Sequence, residues 1–109
     1  MKRGDVIVVA AAGDYGKPRR AVVVQTNAFP ETHPSVVICR KTSDTNDAPD
    51  FRVTIEPNEK NGLRVRLQIM ADKPVTVRRE RIGQLLGRLT DADIGRLNVA
   101  LAFVIGLAD

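Results

Sequence analysis

Residues 17–26 read KPRRAVVVQT and place a cluster of cations at the mouth of an apolar strand. The apolar part, residues 21–24, is short and β-branched and lies between turn residues, which favours a buried strand over a helix. Pro18 stiffens the backbone just ahead and limits where the guanidinium of Arg19 can go. A planar, permanently charged fork on a rigid strand suits two-point binding of a phosphate. A solvated basic turn before an edge strand is the alternative that the residues alone leave open.

The length and composition of the chain limit its class. It has 109 residues, a formal net charge of +4 and a single cysteine, Cys39. This length allows one modest core, so we predict a single domain over residues 1–109. One cysteine excludes an internal disulfide and fits a reducing compartment. Because no apolar run could span a bilayer or act as a secretory signal, we expect a cytoplasmic protein without a membrane partner.

Basic and acidic side chains are segregated along the sequence. Residues 60–88 contain eight basic and two acidic side chains, whereas residues 43–59 contain five acidic and one basic. A segregated field of this kind can steer an anionic chain to one face of a protein. The charge pattern therefore favours a polyanion or an acidic protein as the partner.

Short strands separated by turn residues dominate the pattern. The predicted strands cover residues 5–11, 21–26, 35–40, 51–55, 63–70 and 75–77. Asn61-Gly62 predicts a tight hairpin turn, because both residues tolerate positive φ. Residues 82–88 stay open between a helical turn and an irregular segment, because Gly83 and Gly87 weaken a helix. So many short strands favour a mainly β fold, either a small barrel or a strongly curled sheet.

One helix is predicted near the end of the chain. Thr90 offers an N-cap hydroxyl, and Asp91 and Asp93 follow at the positive pole of the helix. Apolar residues at helical spacing then form one face: Ile94, Leu97, Leu101, Val104 and Ile105. The opposite side is also apolar at Val99, Ala102 and Phe103. This excess indicates either a subunit interface or a deeply packed helix.

The familiar enzyme motifs are absent from the sequence. It has no Walker-type glycine loop, no HExxH motif and no paired cysteines. His33 is the sole histidine, which excludes a ribonuclease that works with two histidines. The acidic residues scatter over polar loops and form no evident divalent-metal site. We therefore predict neither a metal nor another cofactor.

The order and spacing of several short segments resemble the MazF/PemK family of toxin endoribonucleases. The segments are GDVIVV (4–9), GKPR (16–19), AVVVQ (21–25), VVI (36–38), TS (42–43), NGL (61–63), QIMADK (68–73) and GRLT (87–90). Together they extend over nearly the whole chain. The resemblance implies an SH3-like curled β-barrel of the MazF/CcdB type with a C-terminal helix, assembled as a homodimer.

The resemblance also implies an activity and partners. Members of the family cleave single-stranded RNA at specific short sequences without a metal and leave 2′,3′-cyclic phosphate and 5′-hydroxyl ends. With messenger RNA as the expected target, such cleavage inhibits translation and growth. The implied protein partner is a cognate antitoxin, which neutralises the toxin by laying an acidic, flexible tail across the dimer groove.

The family's functional positions can be carried over to this sequence. Its catalytic arginine falls on Arg19 and its catalytic threonine on Thr42. Further candidates for catalysis or RNA binding are Asp14, Lys17, Arg20, Ser43 and Gln68. This chain departs from the family pattern at Arg20, where a proline is usual, and at Arg40-Lys41, where a small or apolar pair is usual. Both departures add positive charge near the implied phosphate site and leave Arg20 as a rival to Arg19.

The implied reaction assigns a role to each catalytic group. The 2′-hydroxyl attacks the adjacent phosphate, and negative charge gathers on the phosphate oxygens in the transition state. Arg19 would stabilise that charge, while Thr42 would fix the phosphate and donate or relay a proton. Neither residue is a suitable general base. Asp14, His33 and a bound water remain open for that role.

Two other functions belong to different classes. CcdB-like toxins share the fold, bind and poison DNA gyrase and cleave nothing. They rely on a tryptophan near the C-terminus, and this chain has no tryptophan. A non-catalytic barrel that only binds RNA would make Arg19 and Thr42 incidental. We therefore place the endoribonuclease first and the CcdB-like toxin second.

Overall fold

The computed structural model describes residues 1–10, 17–107 and 109. These parts of the chain contain six strands, one 3-10 turn and one α-helix. In chain order the elements are β1 (Asp5–Ala10), β2 (Pro18–Val23), β3 (Ser35–Thr42), β4 (Arg52–Ile55), β5 (Leu67–Arg78), the 3-10 turn (Arg79–Arg81), β6 (Ile82–Arg88) and α1 (Asp91–Val104).

The six strands form one antiparallel sheet in the order β4-β5-β3-β2-β1-β6. The predicted class, mainly β with a C-terminal helix, is confirmed. The strands β4 and β6 end the order, and no pairing joins them within the described segments, so the sheet is not closed by hydrogen bonds as a complete barrel would be.

A large bulge in β5 lets this one strand pair with two neighbouring strands, β3 and β4. Cys39 of β3 pairs with Pro74, but Lys41 pairs with Ile69, so a single β3 residue faces residues 70–73 of β5. Extra residues of this kind bend a strand. The first part of β5 accordingly pairs with β4 as well as with the end of β3, while its second part runs along the start of β3.

Strand alternation divides the buried side chains between two clusters. In β1, Val6 belongs to one cluster and Ile7 to the other; in β2, Val22 belongs to the first and Ala21 to the second. The helix α1 joins the first cluster through Leu97 and Ala100. The core therefore uses both faces of the sheet, and the helix covers one of them.

The predicted start of the helix is confirmed, and so is its excess of apolar surface. The Thr90 hydroxyl accepts a hydrogen bond from the backbone N–H of Asp93 at 3.1 Å, as an N-cap residue does. Val99 is 72% exposed and Phe103 52% exposed. Ile105 was predicted on the buried face but is exposed, because the helix ends at Val104.

Asn61-Gly62 does lie between two strands that pair as a hairpin, β4 and β5, but the prediction of a tight turn is wrong. β4 ends at Ile55 and β5 begins at Leu67, so residues 56–66 form a long connection. The Asn61 side chain is completely buried and organises this connection. Its carbonyl accepts hydrogen bonds from the N–H groups of Asn58 (3.2 Å) and Leu63 (3.0 Å), and its amide donates to the carbonyl of Glu56 (2.9 Å). Gly62 still adopts positive φ, at +68°.

Several strand boundaries differ from the predictions. Residues 82–88 form β6 rather than a helical or irregular segment, and the two predicted strands over 63–70 and 75–77 are one strand, β5. β2 begins at Pro18, three residues earlier than predicted. Arg19 and Arg20 therefore lie within a strand, where Arg19 pairs with Val9 of β1.

Cys39 provides a test of the core through pH. The side chain is fully buried, and this burial raises the pKa of the thiol to about 12, with smaller opposing charge effects from Arg3 and Asp72. In the unfolded chain the thiol ionises near its ordinary value of 9.0. Between these two values the unfolded state loses the proton and the folded state keeps it, so the free energy of unfolding falls as pH rises.

We therefore expect the wild-type protein to lose stability above pH 9 through Cys39. Urea unfolding measures the free energy of unfolding at pH 8 and pH 10. Its decrease between the two pH values should be larger by about 1 kcal/mol in the wild type than in Cys39→Ala, in which the thiol is absent. The variant also controls for every other pH-dependent contribution to stability, because the two proteins differ only in the thiol. Parallel pH dependences of the two proteins would contradict a protonated, buried thiol.

Candidate active site

An open hollow of about 530 Å³ lies where β2 and β3 stop pairing. Its lining residues are Arg19, Arg40, Lys41, Thr42, Ser43, Asp44 and Met70. The paired part of the two strands ends at Ala21 and Arg40. Two residues further along each strand, the same antiparallel register sets Arg19 opposite Thr42. The two residues that the resemblance singles out therefore lie across the opening from each other. We call this site the cationic hollow.

The strand geometry distinguishes Arg19 from Arg20. Because successive residues of a strand point to opposite faces, Arg19 lies on the side of Ala21 and Arg20 on the side of Val22. Arg19 lines the cationic hollow, whereas Arg20 borders a small cavity in the core cluster that contains Val22. The aliphatic stem of Arg20 thus covers apolar side chains, as long cationic residues commonly do. Arg20 is not placed to compete with Arg19 for a ligand in the hollow.

Thr42 is half-buried at the end of β3, and its hydroxyl has a defined local partner. The oxygen accepts a hydrogen bond from the backbone N–H of Asp44 at 3.1 Å. A hydroxyl that accepts in this way still has its proton to donate. Next to it, the Ser43 hydroxyl accepts from the Lys41 ammonium at 3.3 Å. The geometry leaves Thr42 suited to donate to a bound anion, while Ser43 helps to position a cation.

The charges of the hollow favour an anionic ligand. Three of its lining side chains are cationic, Arg19, Arg40 and Lys41, and one is a carboxylate, Asp44. Lys17 is exposed immediately before β2 and adds to the positive field, although it does not line the hollow. Several fixed cations at one opening are an arrangement that binds phosphate groups of a nucleic-acid backbone.

Gln68 is not brought into the hollow. It is buried, and its amide is used to anchor the loop after β3. Its side-chain oxygen accepts from the N–H of Asn46, and its nitrogen donates to the Asn46 carbonyl, both at 2.9 Å. The nitrogen also lies 3.3 Å from the hydroxyl of Thr54. These bonds give Gln68 a structural role in the loop, and its assignment to catalysis or RNA binding stays a prediction.

His33, one of the residues considered as a general base, is not found at the site. His33 precedes β3 and Thr42 ends it, so the length of an eight-residue strand, roughly 25 Å, separates them. The His33 ring instead stacks on Phe29, with 4.4 Å between the ring centroids. Asp14 lies outside the described residues.

Two general features of the described residues bear on function. Within residues 1–10, 17–107 and 109, no three His, Cys, Asp or Glu side chains are grouped so that they could hold a metal ion. Over the same ranges, no helix has the length and apolar character needed to cross a membrane.

Comparison with known proteins decides the family. The sequence model of the "PemK-like, MazF-like toxin of type II toxin-antitoxin system" family matches residues 2–105. The chain belongs to this family.

Individual relatives of this MazF-like toxin agree. A protein of Mycolicibacterium smegmatis named "Probable endoribonuclease MazF" is 40% identical over 109 residues, with 99% of each chain covered. A solved mycobacterial structure titled as an endoribonuclease in complex with its cognate antitoxin matches with a TM-score of 0.82 and 27% identity, covering 98% of this chain and 96% of that one. The Mycobacterium tuberculosis toxin MazF-mt6 shares the fold, with a TM-score of 0.79 at 15% identity over 94% of this chain and 96% of its own.

The predicted class, a MazF/PemK toxin endoribonuclease, is therefore confirmed, and the CcdB-like alternative is not favoured. The family resemblance singled out Arg19, Thr42 and Ser43, and the structure brings all three to the cationic hollow. Sequence reasoning did not single out Asp44 as part of the same site. The available signal was its position directly after the Thr42-Ser43 pair, but Asp44 also begins a polar loop, where acidic residues are common.

Proposed function

We propose that this MazF-like toxin cleaves single-stranded RNA, messenger RNA in particular, at specific short sequences and without a metal ion. Cleavage leaves a 2′,3′-cyclic phosphate and a 5′-hydroxyl, and it inhibits translation and growth in the cytoplasm. The observation that carries the proposal is the placement of Arg19 across the cationic hollow from Thr42. The two side chains are held there by separate strands, so a phosphate between them can be contacted from both sides.

The chemistry follows from these two groups. When the 2′-hydroxyl attacks the phosphate, negative charge increases on the phosphate oxygens that take no part in bond making. The Arg19 guanidinium donates two parallel hydrogen bonds to those oxygens, and the Thr42 hydroxyl donates a third. Donors fixed in advance at developing charge typically contribute about 3 kcal/mol each to the barrier reduction.

Arg40 and Lys41 also line the hollow and extend its phosphate-binding surface beyond Arg19 and Thr42. The Lys41 ammonium donates to the Ser43 hydroxyl, and Arg40 is the last residue of β3 that pairs with β2. Cations that contact neighbouring phosphates raise affinity for any RNA and fix its register, whereas base contacts select the sequence. The affinity should therefore fall steeply with salt concentration.

The proposed partners follow from charge and exposed apolar surface. A cognate antitoxin with an acidic, flexible tail competes with RNA for the cationic hollow, because both ligands present a chain of negative charges. A homodimer buries apolar side chains that α1 and the residues after it leave exposed, including Val99, Phe103 and Leu107. Pairing two copies brings two basic surfaces together for RNA or the antitoxin tail.

The proposed reaction can be tested with one cleavage experiment. Purified protein incubated with a long RNA in EDTA should produce discrete cuts at a recurring short sequence. The 3′ ends should carry cyclic phosphate and the 5′ ends a hydroxyl, because the attacking nucleophile is the neighbouring 2′-hydroxyl. A substrate with 2′-deoxyribose at the cleavage position should stay intact.

Strict dependence on added magnesium, or 3′-hydroxyl ends, would contradict the proposal and indicate attack by water. RNA binding without any cut would instead support a non-catalytic RNA-binding protein.

A further inference from the structure

The proposed reaction needs a group that removes the proton from the attacking 2′-hydroxyl. The guanidinium and ammonium groups of Arg19, Arg40 and Lys41 cannot do so, because such groups are hydrogen-bond donors without an acceptor site. The hydroxyls of Thr42 and Ser43 are too weakly basic without a partner. Met70 offers only a thioether. Among the described residues that line the hollow, one side chain remains, and it is a carboxylate.

We propose that the carboxylate of Asp44 is the proton acceptor for the 2′-hydroxyl. The inference rests on the proposed function and deepens it. Asp44 lines the same hollow as Arg19 and Thr42, and its side chain is exposed to the opening. A general base of this kind has to reach the proton within hydrogen-bonding distance in the bound complex. The hollow places Asp44 beside the phosphate site that Arg19 and Thr42 define.

A backbone contact fixes Asp44 relative to Thr42. Its N–H donates to the Thr42 hydroxyl at 3.1 Å, which closes a short turn directly after β3. The loop that follows is anchored at Asn46 by the buried amide of Gln68. The carboxylate therefore extends from a turn that is tied at both ends, which holds it close to the threonine that contacts the phosphate.

Other described carboxylates are engaged elsewhere. Asp47, three residues after Asp44, lines a neighbouring groove with Val99 of α1. Asp5 lies 3.3 Å from Arg88, and Asp72 lies 3.2 Å from Arg52, both in ion-pair contact. Neither the groove of Asp47 nor these two ion pairs includes Arg19 or Thr42.

The step balances with water as the second proton carrier. The 2′-O–H bond breaks and its proton passes to Asp44, while the 2′-oxygen forms a bond to phosphorus. The bond between phosphorus and the 5′-oxygen breaks, and the departing oxygen takes a proton from water. The hydroxide that remains is neutralised when Asp44 releases its proton to the solvent, which its exposure allows. No oxidant, metal or further reactant is consumed.

The test compares three variants of the full-length protein under single-turnover conditions. Asp44→Asn keeps the backbone N–H that binds Thr42 and removes only the proton acceptor, so the cleavage rate should fall about 100-fold. Asp44→Glu should recover most of that loss, to within about tenfold of wild type, because it restores a carboxylate on a longer stem. Asp47→Asn is the matched control from the same loop and should cleave at the wild-type rate.

A binding measurement separates a chemical role from a structural one. Affinity for an RNA with 2′-deoxyribose at the cleavage position should be unchanged or tighter in Asp44→Asn, since the change removes a negative charge. If the wild type and Asp44→Asn cleave RNA at equal rates, the assignment of Asp44 is overturned and the proposed function stays intact. An inactive wild type would overturn the proposed function itself. Weaker analogue binding that accounts for the whole loss of rate would also overturn the assignment, because Asp44 would then position RNA instead of accepting a proton.

Discussion

Arg19→Ala should lower the rate of RNA cleavage at least about 100-fold, which corresponds to the loss of one preorganised donor at the developing charge. The side chain is exposed at the cationic hollow and outside both core clusters, so the free energy of unfolding should change by less than about 0.5 kcal/mol. Single-turnover cleavage and urea unfolding of the same preparation measure the two quantities.

Arg20→Ala is the matched control, one residue away on the other face of β2. Its stem borders the core, so the variant should lose stability by about 1 kcal/mol and keep its cleavage rate within a few-fold of wild type. The reverse outcome, an active Arg19→Ala and an inactive Arg20→Ala, would show that the phosphate is bound on the other side of the strand.

The largest loss of stability is expected from Asn61→Ala, at about 3 kcal/mol. The substitution leaves the N–H groups of Asn58 and Leu63 and the carbonyl of Glu56 without the side chain that binds them. Asn61 is fully buried, and buried polar groups without a partner cost about 1–3 kcal/mol each unless the loop can rearrange towards water. Urea unfolding monitored by circular dichroism would measure the effect.

Asn58→Ala provides the comparison for Asn61→Ala. Asn58 is exposed, and its side-chain oxygen accepts from the N–H groups of Lys60 and Asn61, which water can replace in part. Its loss should cost about 1 kcal/mol. Equal effects of the two substitutions would mean that the connection between β4 and β5 is not organised from its buried asparagine.

The elements that the sequence could predict are those with a local cause. The β-branched runs in β1, β2 and β3 and the N-cap at Thr90 carry their signals within a few residues, and each appears close to its predicted place. β6 has no such signal. Gly87 weakens a local prediction, yet a Cβ there would collide with the Lys60 carbonyl, so the glycine is needed for a close approach between distant segments.

The candidate site was predictable in part for the same reason. Arg19 and Thr42 could be found through the family resemblance, and the structure brings both to one hollow. The structural contacts of Gln68 could not be predicted, because its partner Asn46 is distant in sequence and only the fold brings the two together. Asp44 was missed because it lines the hollow only as a result of the fold, at the place where β2 and β3 diverge.

The position of β1 between β2 and β6 has a consequence for the timing of folding. Asp5 pairs with Arg88, so the first strand is completed by the last one to be synthesised. Contacts between such distant parts of a chain form slowly, because a long loop must close before they are gained. A chain still on the ribosome cannot finish this sheet until β6 has emerged. A protein of a toxin endoribonuclease family therefore completes its folded sheet only after β6 has been made.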